Sequence, residues 1–260
     1  MNHRLRLPTA LFTAAMIAAP VAGGAVITVA PNPAQAQQPT VAQPDALLAL
    51  ARQTAQSGDL QKASIIYGSI IQDHSGSQVY PDALIELAQV LFRLQKPKQA
   101  LKLCQTFIKT YPSHARLPEA LLVVGDFYFD AKQNEMALKV YEKVSQYPQS
   151  PVVHYARYKA GWCHYNAQDY VQALTAFMDV VKNPGEASPD TENLHKDALT
   201  GTIVTYAQIG NPAKARIFFE KLTQNDAALV RKSLVELQDL YNERGMNQQA
   251  ETIHKQLTAP

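Results

Sequence analysis

The chain is short of most residues and patterns that carry chemistry. It has two cysteines and one tryptophan. It has no G-x-S-x-G, no Walker loop, no H-E-x-x-H and no C-x-x-C, so no catalytic residue and no cofactor site is assigned. It also lacks a surplus of charge. Arg4 and Arg6 are the only formal charges in residues 1–36, and 24 minus 2 leaves 22 Lys+Arg against 22 Asp+Glu in the remainder. A balanced chain has no basic footprint for nucleic acid and no polybasic segment for anionic lipid. A pair of Glu-x-x-His tetrads, Glu192/His195 and Glu251/His254, has the spacing of helical di-iron ligands. Such a centre needs both tetrads to converge with two further carboxylates, and their places along the chain set them apart. They are read as solvated side chains, and no metal is expected.

Long apolar runs are limited to one. Arg4 and Arg6 precede a mostly apolar stretch from Leu7 to Val29, which Pro20 and Gly23-Gly24 interrupt and which ends at Ala34-Gln35-Ala36. That order reads as a secretory signal peptide over 1–36, with a periplasmic mature chain and no membrane span after cleavage. The first cysteine is Cys104, so the lipid-anchoring cysteine of a lipoprotein is not at the expected start of the mature chain. Residues 37–44, rich in Gln and Pro, read as a disordered lead-in. Cys104 and Cys163 fall two repeats apart in the register below, too far for a disulfide, and read as apolar fillers.

What the chain has is repetition. Alanines followed four residues later by a larger side chain recur at Ala63/Tyr67, Ala100/Cys104, Ala137/Tyr141, Ala173/Phe177, Ala215/Phe219 and Ala250/His254. The alanine spacings are 37, 37, 36, 42 and 35. Turn signals precede each alanine, as in Ser57-Gly58-Asp59, Gln95-Lys96-Pro97 and Gly245-Met246-Asn247. Upstream, Leu84/Leu87/Ala88/Leu91 and Leu121/Val124/Gly125/Tyr128 keep helical spacing. Gly125 and Gly161 admit close approach of a neighbouring helix. The pattern predicts six helix-turn-helix repeats at about 45–80, 81–117, 118–150, 151–190, 191–226 and 227–260, with no strand. Their helices are expected at 45–56/59–73, 81–94/97–110, 117–131/134–147, 151–167/170–182, 191–209/212–224 and 227–243/247–258. The surplus of about six residues between Ala173 and Ala215 predicts an exposed insertion at 183–190.

These repeats resemble the tetratricopeptide (TPR) family, and Tyr111-Pro-Ser and Tyr147-Pro-Gln-Ser resemble the repeat ends of Gram-negative envelope members. That wider group includes the Tol-associated cell-division coordinator and the lipoprotein of the outer-membrane β-barrel assembly machine. Tyr158-Lys-Ala-Gly-Trp-Cys-His-Tyr-Asn, Asp169-Tyr-Val-Gln-Ala-Leu-Thr-Ala-Phe and Thr205-Tyr-Ala-Gln-Ile-Gly-Asn-Pro-Ala-Lys-Ala-Arg-Ile-Phe-Phe are similar to periplasmic TPR proteins of myxobacterial gliding motility. The resemblance implies an all-α solenoid wound as a right-handed superhelix. It further implies an envelope scaffold that binds other proteins or peptide segments, as within a gliding-motility complex, and is not an enzyme; the alternatives are a Tol-associated or outer-membrane-assembly type envelope factor, or a structural spacer with no defined groove ligand.

In that family the first helices of successive repeats line the concave face, and the carried-over register places Tyr155, Tyr158, Trp162 and Tyr165 there. Spacings of three, four and three put them on one stripe. Equivalent positions are Asp82, Ile85, Gln89 and Phe92, then Glu119, Leu122, Asp126 and Phe129, with Arg93 and Asp130 at the rim. The candidate partner-binding groove is therefore Phe92, Arg93, Phe129, Tyr155, Tyr158, Trp162 and Tyr165. The other reading is that these rings are inter-repeat core. Trp162→Ala separates the two. A groove anchor, partly exposed in the free protein, would lose on the order of 2 kcal/mol of partner binding with little loss of stability. A core residue would lose about 3 to 5 kcal/mol of stability, read by thermal melting.

Overall fold

A computed structural model of the protein describes residues 43–183, 185 and 188–258. The signal segment expected at 1–36 and all but the end of the lead-in expected at 37–44 lie outside them. Among the described residues there are twelve α-helices and no strand. In order they are α1 (Pro44–Gln56), α2 (Leu60–Asp73), α3 (Tyr80–Arg93), α4 (Pro97–Thr110), α5 (Leu117–Asp130) and α6 (Asn134–Val144). There follow α7 (Val153–Asn166), α8 (Tyr170–Lys182), α9 (Pro189–Ile209), α10 (Ala215–Leu222), α11 (Ala227–Glu243) and α12 (Asn247–Thr258). Neighbours in sequence pack against each other, which is the arrangement of a solenoid.

Local chemistry starts and stops these helices. Asp59 and Asp169 accept from the backbone N–H of Lys62 (3.0 Å) and Gln172 (3.3 Å) and so cap α2 and α8. Prolines occupy the first turns of α3, α4, α5 and α9, where a missing N–H costs nothing. The turn between the two helices of a repeat carries one residue in the left-handed region in five repeats: Gly58, Gln95, Lys132, Gln168 and Gly245.

Most boundaries lie within two residues of expectation, and three of the differences have a local cause. α6 stops at Val144, because Gln146 and Tyr147 turn back onto Lys143 and Val144 before Pro148. The helix expected from 212 opens as a 3-10 turn, Pro212–Lys214, before α10. α9 begins at Pro189, since Ser188 and Thr191 form a capping box. The expected insertion at 183–190 falls partly outside the described residues. Within it Gly185 is exposed and Ser188 caps α9, so that end of the segment is built into the fold.

The repeating alanines have no solvent exposure in five repeats and 3 % at Ala250, and five of the six larger partners are buried. His254 is the exception, because α12 is the last described helix and none follows to cover it. Cys104 and Cys163 are free and buried, which pushes each thiol up to about 12.

The helix separation is set by missing side chains. A Cβ at Gly125 would lie 2.5 Å from the Tyr141 ring; one at Gly161 would lie 2.7 Å, and one at Gly201 2.9 Å, from Phe177. Phe177 thus sits between α7 of its own repeat and α9 of the next. Flanked on both sides, the ring cannot retreat from an added methyl group. Gly161→Ala is expected to destabilise the fold by about 1 to 3 kcal/mol despite the better helix propensity of alanine. Gly68→Ala, in α2 where nothing lies within 4 Å of the added atom, is expected to stabilise by about 1 kcal/mol. Opposite shifts in melting temperature would bear this out, and equal shifts would contradict it.

Candidate functional site: the first-helix face

The first helices α1, α3 and α5 are joined by charge. Arg52 of α1 donates from Nε to Glu86 of α3 (2.9 Å) and from Nη2 to Glu86 (2.6 Å) and Asp82 (3.1 Å). Arg116, just before α5, donates from Nη1 to Asp82 (2.9 Å) and Glu86 (2.7 Å). Its other nitrogens hold Glu119 at 2.9 and 2.7 Å. Tyr67 of α2 donates its hydroxyl to Glu86 (2.9 Å), and Gln89 reaches Glu119 at 3.3 Å. Burial alone would lower the Arg116 pKa, but the Glu119, Asp82 and Glu86 carboxylates outweigh it and raise that guanidinium above its ordinary range.

The seam between α5 and α7 is built differently. Asp126, buried at 5 % exposure, accepts from the Tyr141 hydroxyl at 2.6 Å and pairs with Lys159 of α7 at 3.4 Å. The same ammonium stands 3.9 Å above the Phe129 ring. Burial raises the Asp126 pKa by more than Lys159 and Tyr141 recover. Further along, the Tyr165 hydroxyl lies 3.0 Å from the Gln208 side chain of α9. With its amide oxygen turned inward, Gln208 also accepts from Arg244 at the end of α11 (3.0 Å).

The expected groove residues do not form one open face. Trp162 is 8 % exposed, Tyr158 6 % and Phe129 4 %. Trp162 lies edge-on to Phe177 at 5.1 Å between centroids and meets Tyr158 and Tyr165 on its own helix. The partly exposed Trp162 that the groove reading required is therefore not found. Gly161 and Gly201 let the neighbouring helices close onto Phe177, and the centre of the stripe becomes core. Phe92, Tyr155 and Tyr165 are half-buried, and Arg93 is exposed. Phe92, Phe129 and Tyr165 share one register in the last turns of α3, α5 and α7, so the accessible aromatic edges flank a buried middle.

Sequence reasoning assigned no role to Arg52, Arg116 or Lys159. A usable signal was present, since Arg52 and Glu86 are 34 positions apart, and Arg116 stands 34 and 30 from Asp82 and Glu86. Opposite charges one repeat apart on first helices face each other. Glu192 and Glu251 are exposed on α9 and α12, and no group of three or more metal-ligating side chains converges among the described residues.

A raised aspartate pKa fixes the sign of a pH effect. The folded chain holds the Asp126 proton more tightly than the unfolded chain does. The stabilisation this gives is full below the unfolded pKa of about 4 and is lost as pH rises through the raised value. Asp126→Asn keeps a neutral group at all pH. Its melting temperature relative to the parent is therefore expected to improve as pH rises from about 4 to about 8, and a decline would show that Lys159 outweighs burial.

The tetratricopeptide repeat model matches residues 82–114 and 155–185, which correspond to α3 with α4 and α7 with α8. No match was found among curated protein sequences. Among solved structures the chain is similar to a tetratricopeptide repeat protein from Parabacteroides merdae, with 19 % identity over 82 % of this chain and 78 % of that one and a TM-score of 0.58. It is similar to Pseudomonas aeruginosa PilF, with 18 % identity over 82 % and 90 % and a TM-score of 0.56. It is also similar to MamA from Desulfovibrio magneticus, with 15 % identity over 72 % and 97 % and a TM-score of 0.53. At these identities the likeness is one of fold. The chain thus carries two matched tetratricopeptide repeats, and its helices share the fold of tetratricopeptide-repeat solenoids.

Proposed function

We propose that this protein is an exported scaffold of the bacterial envelope that binds a partner segment along its first-helix face and catalyses nothing itself. The observation that carries the reading is the aromatic register of Phe92, Phe129 and Tyr165. Its outer two members are half-exposed, and Arg93 stands exposed beside the first. Half-exposed rings backed by a rigid core offer contact area at small entropic cost, and an adjacent guanidinium adds a directed donor. An extended or helical segment lying across successive repeats would cover these edges. Export rests on the charge, apolar run and A-x-A order of residues 1–36. No described helix is long and apolar enough to cross a membrane. An envelope-spanning assembly of the gliding-motility kind, which residues 158–166 resemble, is the setting proposed for it.

The test is capture from envelope extracts with residues 37–260 as bait, compared with a Phe92→Ala, Arg93→Glu double variant. Both side chains lie at the accessible edge, so the variant is expected to melt close to the parent. Its capture of the partner is expected to fall by about tenfold or more, as truncated hot spots do. Unchanged capture by a folded variant would remove the first-helix face as the binding site and leave the spacer reading.

A further inference from the structure

We propose that repeats one to three close through an ionic clasp centred on Arg116 and open as a unit separate from repeats four to six. Five charged side chains from α1, α3 and the start of α5 make up the clasp: Arg52, Asp82, Glu86, Arg116 and Glu119. Three carboxylates face two guanidiniums. Removing either cation therefore leaves Asp82 and Glu86, four residues apart on one helix, beside Glu119 with half their compensation. Arg116 does the wider work, because its Nη1 bridges two carboxylates of α3 while its Nε and Nη2 hold Glu119. Glu86 is the deepest member, its side chain 9 % exposed, and it also takes the Tyr67 hydroxyl from α2.

Aromatic packing joins the remaining repeats, beside the Arg157–Asp179 pair within repeat four and the Lys159–Asp126 pair that links it to repeat three. Phe177 stacks against Tyr158 and Trp162, and Tyr206 against Phe218 and Phe219. Between α7, α9 and α11 a polar tie runs through Tyr165, Gln208 and Arg244, and Asp197 of α9 stands near Tyr155 and Tyr158 of α7. A solenoid's stability is close to a sum of neighbour terms, so segments with different ties can open independently. The clasp is 23–30 % exposed at both guanidiniums and at Asp82, within reach of screening ions. Aromatic packing is not weakened by salt. The two parts of the solenoid therefore differ in what loosens them, and the first three repeats respond to ionic strength.

Amide hydrogen exchange on the full chain reads this directly. Raising sodium chloride from about 0.01 M to about 1 M shortens the screening length from roughly 30 Å to roughly 3 Å. Exchange in α1 and α3 is expected to accelerate by about tenfold, with α7 to α10 changing less than about twofold, since opening rates follow the free energy of the local unit. Arg116→Gln at low salt is expected to give the same pattern. Arg116→Lys, which keeps charge without the fork, should fall between. Uniform acceleration along the chain, or protection in α1 and α3 that ignores salt, would overturn the clasp. Should Arg116→Gln not fold, the salt comparison on the parent decides alone.

Discussion

Phe177 occupies space that Gly161 and Gly201 leave unfilled, so that helices α7, α8 and α9 meet on one ring. Tyr141 does the same against Gly125. The arrangement matters because a helix of 11 to 14 residues, the length of most helices here, is marginal in water on its own. Each must gain its stability from neighbours. A buried aromatic held between two backbones brings a large apolar area to a place where three helices share it. The missing Cβ atoms set how near the helices come, and that distance in turn decides which side chains between first helices can touch. The pairing of Lys159 of α7 with Asp126 of α5 lies beside two of these glycine contacts, at Gly125 and Gly161.

This dependence explains why the face expected to be open is partly closed. A stripe of aromatics at spacings of three and four on one helix establishes that the rings share a side. It carries no information about how close the next first helix lies. At Trp162 the approach is close enough to bury the ring; at Phe92 and Tyr165, in the last turn, it is not. Within that last-turn register Phe129 is buried with the Lys159 ammonium 3.9 Å from its ring, whereas Phe92 and Tyr165 are half-buried. The stripe is thereby split, with its centre serving the fold and its ends half-exposed.

The fold was legible in the sequence because its determinants recur. Five of six alanine pairs are buried as a repeat of small and large residues requires, and the sixth fails at His254, where no described helix follows. The turns were readable from Gly58, Pro97 and Gly245. The boundary errors lie where local bonds compete: Tyr147 before Pro148, and the Ser188 box ahead of α9. The polar ties were not legible by composition, since a neutral chain hides where its charges sit. Arg52 and Arg116 look solvated in isolation, and only their separation of about one repeat from Asp82 and Glu86 gives them away. Of the aromatic stripe, the side shared on one helix was legible in the spacing, and the burial of Tyr158, Trp162 and Phe129 was not.

Specificity in such a molecule has a physical consequence for partner choice. A groove lined by a fully exposed tryptophan row would accept many apolar segments, because burying apolar area is non-directional. Here the centre is already filled, and the accessible edges, Phe92 and Tyr165, stand two repeats apart on either side of the buried Phe129. Phe129 is itself covered by the Lys159 ammonium. On the proposed function, a partner would have to reach from one edge to the other across two repeats, and one with the right composition but too short a reach would gain little. Since the glycine and aromatic contacts at Gly125, Gly161 and Gly201 fix how those helices stack, selectivity on that proposal would be set by the core as well as by the chemistry of the surface.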